Sequence, residues 1–374
     1  MYARSSEKND GSIGMDKNIT VATMQFKNDV KVSTTEYLKT YYTFKLGDIA
    51  FEGHQSKEFR YGRFVENDIG NGIVSHIFAV FRPIQEYDLY FWKYAINNET
   101  LMQRILARST KASTMMHDLV TNDFLNETFL VPSVKEQKQI GAFLNKLDNI
   151  ITLHQRKCEQ TKKLKKYMLQ KMFPRNGAKV PEIRFDGFTY DWEQRKLNEV
   201  AEKICVGFVG TCEKFYTDES GIPMYRTGNL NGLSLNRDDL KYVTNEFHQH
   251  NQKSQLKAGD ILIARHGDSG KAVNYENSEE ANCLNIVIIR PDFKKCNYKF
   301  LTNCINSPEC QKHIKSLSAG STQAVINTSE IEKLGVVIPA NIDEQNRIAR
   351  YFSTLDNLIT LHQRQHKLHL NMLL

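Results

Sequence analysis

Two stretches of the chain decide its architecture because they carry almost the same sequence. Residues 136–156 read EQKQIGAFLNKLDNIITLHQR, and residues 344–364 read EQNRIARYFSTLDNLITLHQR. At this offset of 208 residues, 12 of the 21 aligned positions are identical. Agreement over such a length indicates an internal duplication, so we expect two copies of one structural unit.

The duplication continues upstream of these stretches at slightly different offsets. The matching segments are KLGDI at 45–49 with KAGDI at 257–261, AVFRP at 79–83 with VIIRP at 287–291, IN at 96–97 with IN at 305–306, ST at 109–110 with ST at 321–322, and FLVP at 129–132 with VVIP at 336–339. Between these anchors the two copies share little sequence. A common scaffold with two different surfaces is what two separate recognition tasks would require.

Each repeated stretch has the pattern of a long helix. Seam positions recur at alternating steps of four and three residues: Ile140, Leu144, Leu147, Ile151, His154, Cys158 and Thr161 in the first copy, and Ile348, Phe352, Leu355, Ile359, His362, His366, His369 and Leu373 in the second. This 3.5-residue period predicts a coiled-coil seam. A pseudo-two-fold relation between the copies would pack the helices antiparallel. We expect the first helix over 136–173, about 57 Å long at the usual rise per residue, with Pro174 and Gly177 ending it.

The histidines of the second helix allow two interpretations. His362, His366 and His369 would share one face, and imidazoles in such a row can bind a metal ion. No carboxylate or cysteine completes a ligand set, so we favour a polar seam that fixes the register of the helices and expect no metal site.

The segments between the anchors predict a mixed α/β (α+β) fold. Residues 260–264, 285–290 and 334–339 are rich in β-branched side chains and are expected to form strands, whereas 87–107 and 298–318 have helical spacing. We therefore expect two pseudo-symmetric domains and two long antiparallel helices. The expected boundaries are a first domain at 1–134, a first helix at 135–174, a linker at 175–196, a second domain at 197–341 and a second helix at 342–374.

Composition limits the class of protein. The chain has 374 residues, 40% of them hydrophobic, and a net charge of +7, which is compatible with a polyanionic partner. The seven cysteines form no Cys-x-x-Cys pair, so we expect reduced, buried thiols. No long apolar run and no signal peptide is evident, which predicts a cytoplasmic protein without a membrane partner.

Several segments resemble parts of catalytic motifs, but none is complete. GDSG at 267–270 lacks the histidine context of a serine protease, and the same glycines with Lys271 lack the spacing of a phosphate-binding loop. An S-adenosylmethionine-binding loop should follow an apolar strand, but DIGNG at 68–72 does not. The single Pro-Asp, at 291–292, is not followed by the Asp/Glu-x-Lys motif of a metal-dependent nuclease. We therefore predict a non-catalytic protein.

The chain resembles the specificity subunits of type I restriction–modification systems. The strongest segments are the two helix openings with LDNIITLHQR and LDNLITLHQR, the junction from MFP at 172–174 through VPEIRFDGF at 180–188 to WEQRKL at 192–197, and IPMYRTGNL at 222–230. The first copy has no clear counterpart of the WEQRKL segment or of YRTGN at 225–229. We therefore expect an N-terminally shortened first domain, and a second helix one or two turns shorter than the first.

The resemblance implies a DNA-reading subunit without chemistry of its own. In that family two target-recognition domains each read part of a bipartite, asymmetric target in double-stranded DNA, and the helices set their separation. The implied partners are two methyltransferase subunits and the restriction and translocase subunits. S-adenosylmethionine, ATP and magnesium would be bound by those partners, so no cofactor is expected on this chain.

Base edges are read by Arg, Lys, Asn or Gln, and phosphates are contacted by Lys, Arg, Ser or Thr. Residues of these types follow the predicted strands and helices, and they are the candidates for DNA contacts. In the first copy the candidates are His54, Gln55, Lys57, Arg60, Arg63, Ser109, Thr110 and Lys111. In the second copy they are Arg226, Asn229, Arg265, His266, Ser269, Lys271, Ser321, Thr322 and Gln323. The alternatives for the whole chain are a coiled-coil adaptor that reads no DNA and a stand-alone DNA methyltransferase.

Overall fold

A computed structural model describes residues 1–27, 34–113, 116–230, 234–265, 270–318 and 326–373, with only the backbone described over 371–373. The chain divides into two compact units. Unit 1 comprises Met1–Thr152 and the end of the last helix from Leu368, and unit 2 comprises Leu153–Lys367. Both unit boundaries therefore fall within long helices.

Unit 1 is built around a mixed set of strands and helices. Its strands are β1 (Tyr2–Ser5), β2 (Ile19–Thr20), β3 (Gln25–Phe26), β4 (Tyr42–Phe44), β5 (Ile49–Glu52), β6 (Arg63–Glu66), β7 (Gly72–Val74), β8 (Ala79–Pro83), β9 (Thr110–Ala112) and β10 (His117–Leu119). Its helices are α1 (Thr35–Leu38), α2 (Leu89–Ala95), α3 (Glu99–Ser109), α4 (Thr121–Asn126) and the first half of α5 (Val134–Lys171). The central antiparallel sheet has the order β1-β8-β5-β6.

Unit 2 repeats this plan. Its strands are β11 (Glu193–Lys196), β12 (Ala201–Val206), β13 (Tyr216–Thr217), β14 (Ile222–Arg226), β15 (Lys241–Val243), β16 (Asp260–Ala264), β17 (Ala272–Tyr275), β18 (Asn282–Leu284), β19 (Ile286–Pro291) and β20 (Gly335–Ile338). Its helices are the second half of α5, α6 (Asn245–His250), α7 (Tyr298–Ile305), α8 (Pro308–Ser318), α9 (Thr328–Glu332) and most of α10 (Ile342–Leu373). The central sheet has the order β12-β19-β16-β17, again antiparallel throughout.

The two central sheets therefore share one topology, and their registers agree with the repeated sequences. Ile49 of β5 lies opposite Phe81 of β8, and Ile261 of β16 lies opposite Ile289 of β19. These are the strands predicted from the KLGDI/KAGDI and AVFRP/VIIRP repeats. The strand prediction at 260–264 is confirmed to the residue, and those at 285–290 and 334–339 within one residue at each end.

A repeated turn and ion pair explain why these segments have changed so little. Gly47 and Gly259 both have a positive φ, near +90°, which glycine adopts without strain. The next residue, Asp48 or Asp260, is buried and forms a bidentate ion pair with Arg82 or Arg290, with N–O distances of 2.7–2.8 Å. The same carboxylate accepts the backbone N–H of Lys45 or Lys257. The motif thus joins the turn to the neighbouring strand in each unit.

The predicted helical stretches at 87–107 and 298–318 each contain two helices. Asn98 accepts the backbone N–H of Leu101 at the start of α3, and α8 begins at Pro308. Asparagine at an N-cap and proline at a first helical position both start helices, which accounts for the break in each stretch. The amphipathic spacing of the sequence did not predict this break between the two helices.

Both long helices begin at capped termini. At the start of α5, Ser133 Oγ accepts the Glu136 N–H and Glu136 Oε2 accepts the Ser133 N–H, which is a capping box. The glutamines of the two EQ pairs anchor the start of each long helix: Gln137 accepts the indole N–H of Trp92, and Gln345 accepts the backbone N–H of Asn297. Helix α5 ends at Lys171, two residues before the predicted end.

Within unit 2, the second half of α5 runs antiparallel to α10. The Nδ1 atoms of His154 and His362 are 3.1 Å apart, the thiol of Cys158 lies 4.0 Å from the carbonyl of Ile359, and Lys165 pairs with Asp356 at 2.6 Å. Residue numbers thus rise along one helix as they fall along the other. The predicted seam residues Cys158, Phe352, Leu355 and Ile359 are buried here.

The cysteine prediction is confirmed, since all seven cysteines are buried and free. Burial raises the pKa of the Cys296 thiol to about 12 and also raises that of Cys283 well above its usual value. Such thiols are protonated at neutral pH and unreactive. In the part of the chain that is described, no helix is long and apolar enough to cross a membrane.

Candidate nucleic-acid interface

The first candidate surface lies beyond β5 in unit 1. His54, Gln55, Lys57 and Arg60 are all exposed. The loop reaches the β9–β10 hairpin, where the His117 N–H donates to the Gly53 carbonyl at 2.8 Å. A side chain at position 53 would place its Cβ only 2.1 Å from the His117 carbonyl oxygen. Glycine therefore allows the two segments to meet, and this brings the 54–60 loop close to the second group of candidates in this unit.

The second group of candidates in unit 1 consists of Ser109, Thr110 and Lys111, which have different roles. Ser109 is fully buried and its hydroxyl donates to the Ile105 carbonyl, while the Thr110 hydroxyl donates to the Leu106 carbonyl at 2.7 Å. Both hydroxyls thus satisfy carbonyls at the end of α3. Lys111 is exposed on β9. We assign Ser109 a structural role, and Lys111 is the member of this group whose charge is exposed in the described part of the chain.

The guanidinium of Arg63 is also bound to other groups of the protein. Its Nε donates to Glu52 at 2.9 Å, and its terminal nitrogen donates to the Ala22 carbonyl at 2.9 Å. The guanidinium of Arg60 lies 5.5 Å from the ring centre of Tyr61, which is a cation–π distance, and the residue is exposed. Arg60 is therefore better placed than Arg63 to meet a phosphate or a base.

In unit 2, Arg226 and Asn229 shape a turn after β14. Asn229 is 2% exposed, and its side chain accepts the Arg226 N–H and donates to the carbonyls of Asn236 and Asp238. Because all its polar capacity is used inside the domain, we assign Asn229 a structural role. Arg226 pairs with Asp239 at 2.8 Å. Hydrogen bonds from Lys241 and from Arg226 lower the pKa of Asp239, which keeps that carboxylate ionised.

The remaining described candidates lie at the end of β16. Arg265 follows the strand directly, and its carbonyl accepts the N–H of Ile326 at 3.1 Å. Lys271 is exposed just before β17, next to Gly270, whose carbonyl accepts the Gln311 amide. The other predicted candidates lie outside the described residues; they are His266, Ser269, Ser321, Thr322 and Gln323. The described ends of the two candidate loops, at 265 and 326, thus lie side by side.

Unit 2 contains a polar cleft of about 410 Å³ that the sequence did not predict. Its lining includes Lys165, Arg237 and Lys299 together with several asparagines. Each cation has a carboxylate partner, respectively Asp356, Glu279 and Glu276. The cleft therefore presents amides more than net positive charge, and its residues come from elements too distant in sequence to form a readable pattern. Among the described residues, the cleft included, no group of three or more His, Cys, Asp or Glu side chains could hold a metal ion.

The sequence profile of a known family, described as "Type I restriction modification DNA specificity domain", matches residues 3–163 and 190–371. The chain belongs to this family. The two matched stretches correspond to the two copies recognised from the repeat, so the resemblance inferred from the sequence is confirmed.

Individual relatives agree with this assignment. The type I restriction enzyme MjaVIII specificity subunit of Methanocaldococcus jannaschii is 26% identical over 289 residues, which is 74% of this chain and 65% of the relative. The EcoBI specificity subunit of Escherichia coli is 22% identical over 65% of this chain and 54% of the relative. The matches thus span somewhat less than two thirds of the length of these curated relatives.

Solved structures support the fold. A type I restriction–modification S subunit from M. genitalium superposes with a TM-score of 0.64 at 16% identity, covering 100% of this chain and 91% of that one. A chain from a study of complex assembly in the type I system gives a TM-score of 0.54 at 15% identity, covering 99% and 94%. The mixed helix-and-sheet fold of the family is therefore shared.

Proposed function

We propose that this chain is a non-catalytic DNA-recognition subunit of a type I restriction–modification complex. One observation carries the proposal: two units keep the same sheet order, turn and buried ion pair, while the polar loops beyond β5 and β16 differ in sequence. A duplicated scaffold with unlike loops is suited to reading two unlike half-sites. Family membership supports a role in DNA specificity over an adaptor that reads no DNA.

Each unit would supply one target-recognition domain, at 1–134 and 197–341, and the helices at 135–174 and 342–374 would set the distance between half-sites. The antiparallel packing of α5 and α10 within unit 2 supports this spacer role. The exposed cations that we propose as DNA contacts are Lys57, Arg60, Lys111 and Lys271. We propose His54, Gln55, Arg226 and Arg265 as further contacts. Such side chains fix the protein on phosphates and read base edges in the major groove.

The chemistry would belong to partner subunits. We propose that two methyltransferase subunits, which bind S-adenosylmethionine, and restriction subunits, which use ATP and magnesium, assemble on this chain in the cytoplasm. The related chain from a study of complex assembly is consistent with such a role.

The test is a methylome. The chain is co-expressed with type I methyltransferase subunits in a host free of DNA methylation, and modified adenines are mapped. A bipartite asymmetric motif with a fixed spacer is the expected result. Methylation by the purified chain alone would instead establish a stand-alone methyltransferase. Absence of a motif, when the same methyltransferase subunits are active with another specificity subunit, would refute the proposal.

A further inference from the structure

His117 lies between the two candidate DNA-contact segments of unit 1, although it was not among the residues predicted from the sequence. It is the first residue of β10 and is only 9% exposed. Its backbone N–H donates to the carbonyl of Gly53, the residue that follows β5, at 2.8 Å. The main chain of His117 therefore joins the 53–62 loop to the β9–β10 hairpin.

The imidazole of His117 has a hydrogen-bond partner on the neighbouring strand. Its Nδ1 lies 3.2 Å from the Thr110 hydroxyl oxygen. That hydroxyl has a single proton, which it donates to the Leu106 carbonyl at 2.7 Å. The hydroxyl oxygen must therefore accept at the contact with His117, so the proton of the neutral imidazole is on Nδ1.

The ring of His117 also contacts the 53–62 loop. Its centre is 5.3 Å from that of the Tyr61 ring, with the ring planes at 80°, which is an edge-to-face arrangement. The Arg60 guanidinium lies 5.5 Å from the centre of the same tyrosine ring. On the hairpin, Thr110 is followed directly by Lys111. A continuous row of contacts thus leads from the Arg60 cation to the residue before Lys111.

The main chain at Arg60 is held by a different element. Its N–H donates to Glu99, the first residue of α3, at 3.3 Å. This bond does not involve His117. The loop is therefore attached at two places, and a change at His117 should loosen one attachment and leave the other intact.

We propose that His117 is a positioning residue for DNA recognition by unit 1. Its Nδ1–H bond to Thr110, with the ring contact to Tyr61 added, fixes the distance between the cations of Arg60 and Lys111. Two cations at a fixed separation match few arrangements of phosphates and base edges, so their preorganisation adds specificity. His117 acts through these neighbours and does not itself contact DNA. The inference rests on the proposed DNA-recognition role.

The test compares three substitutions of His117 in the full chain. An asparagine amide N–H can take the place of Nδ1–H, so His117→Asn keeps the donor to Thr110. In glutamine the amide lies one bond further from the main chain, near the position of Nε2, so His117→Gln loses this donor, as does His117→Ala. Substitutions that lose the donor should share one defect, and His117→Asn should correct most of it.

The first measurement is the methylome of each variant with the methyltransferase subunits. In His117→Ala and His117→Gln, the ratio of methylation at the cognate site to that at sites with one mismatch should fall about fivefold, the factor that corresponds to one hydrogen bond. The mismatches tolerated should lie only in the half-site read by unit 1. The other half-site should be read as in the parent.

The second measurement is hydrogen exchange of the chain without DNA. After correction for intrinsic rates, the N–H of residue 117 should exchange about fivefold faster in His117→Ala than in His117→Asn. The Arg60 N–H should exchange at the parent rate in both variants, because its partner is Glu99.

Two results would overturn the proposal. One is a uniform loss of methylation with an unchanged motif, which would leave His117 a structural residue only. The other is equal behaviour of His117→Asn and His117→Ala in both measurements. Absence of any motif with the parent chain would instead refute the proposed function, and the exchange rates would then decide by themselves whether His117 couples the loop to the hairpin.

Discussion

At the scale of single residues, the two Asp–Arg pairs show how a buried charge is tolerated. Asp48 and Asp260 are each 1% exposed or less, and each has a bidentate arginine and a backbone N–H as partners. Each carboxylate thus accepts three hydrogen bonds, two of them from a guanidinium, and these offset the cost of its burial. The pairs join a turn to a strand, which is why the residues around them are the clearest strand signal in the repeat.

Removing one partner should leave the other charge buried and unpaired. We expect Arg290→Met to lower the free energy of unfolding of unit 2 by about 3–5 kcal/mol, measured by chemical denaturation. Arg237 forms a more exposed pair with Glu279, and Arg237→Met should cost less than about 1 kcal/mol. Equal effects of the two substitutions would contradict the structural role of the buried pair.

Glu66 is another buried carboxyl group, and neither of its oxygens has a hydrogen-bond partner among the described residues. Burial, with a smaller contribution from Asp68, raises its pKa to about 9. Because the folded-state pKa lies above the usual value of 4.5, the folded protein binds this proton more tightly than the unfolded chain does. The stability contributed by the protonated group is therefore complete below about pH 4.5 and is lost as the pH rises toward 9.

Glu66→Gln should remove this loss. We expect the variant to be more stable than the parent at pH 8 by about 1–3 kcal/mol, with the difference shrinking toward pH 5. Thermal unfolding across this pH range measures it. Glu58→Gln, at an exposed position, should leave the profile unchanged. Parallel profiles for the parent and Glu66→Gln would show that Glu66 does not titrate in this range.

At the scale of elements, the packing of α5 against α10 in unit 2 depends on a narrow row of side chains. Ile359 is 1% exposed and lies beside Cys158 of the opposite helix, whereas its neighbour Leu358 points into solvent. The heptad pattern distinguished these two positions correctly, because only one of them lies on the 3.5-residue seam.

Truncation at the seam should therefore be far more costly than truncation beside it. We expect Ile359→Ala to destabilise unit 2 by about 2–5 kcal/mol, since it leaves a cavity between the helices. Leu358→Ala should change the free energy of unfolding by less than about 0.5 kcal/mol. Both values come from denaturant titration, and a similar loss for Leu358→Ala would place the helix contact on a different face.

At the scale of the whole molecule, the proposed function requires two units that act on two half-sites. If each unit reads its own half-site, a substitution in one loop should affect one half of the target. We expect Lys57→Ala with Arg60→Ala to weaken or relax the half-site read by unit 1 and leave the other half unchanged, as measured by the methylome.

Lys271→Ala provides the reciprocal variant, and it should alter only the half-site read by unit 2. Each lost phosphate contact should also reduce the slope of log affinity against log salt by about 1. If both variants changed the same half-site, the assignment of one half-site to each unit would be wrong.

The sequence by itself determined the duplication, the family, the central strands and the two long helices. These features rest on local sequence patterns that occur in both copies of the repeat. The patterns are runs of β-branched residues, heptad spacing, and a glycine followed by an aspartate. Physical constraints within a few residues, such as the positive φ of Gly47 and Gly259, keep them recognisable.

Only the tertiary structure decided which polar residues remain free and which surfaces remain open. Asn229 and Ser109 have side chains that could contact DNA, yet both form hydrogen bonds with backbone groups of their own units. Ile140 and Ile348 have the same side chain at the same repeat position, yet one is exposed and the other buried. Burial depends on what distant segments of the chain cover a residue, and this information is absent from the residue's own neighbourhood in the sequence.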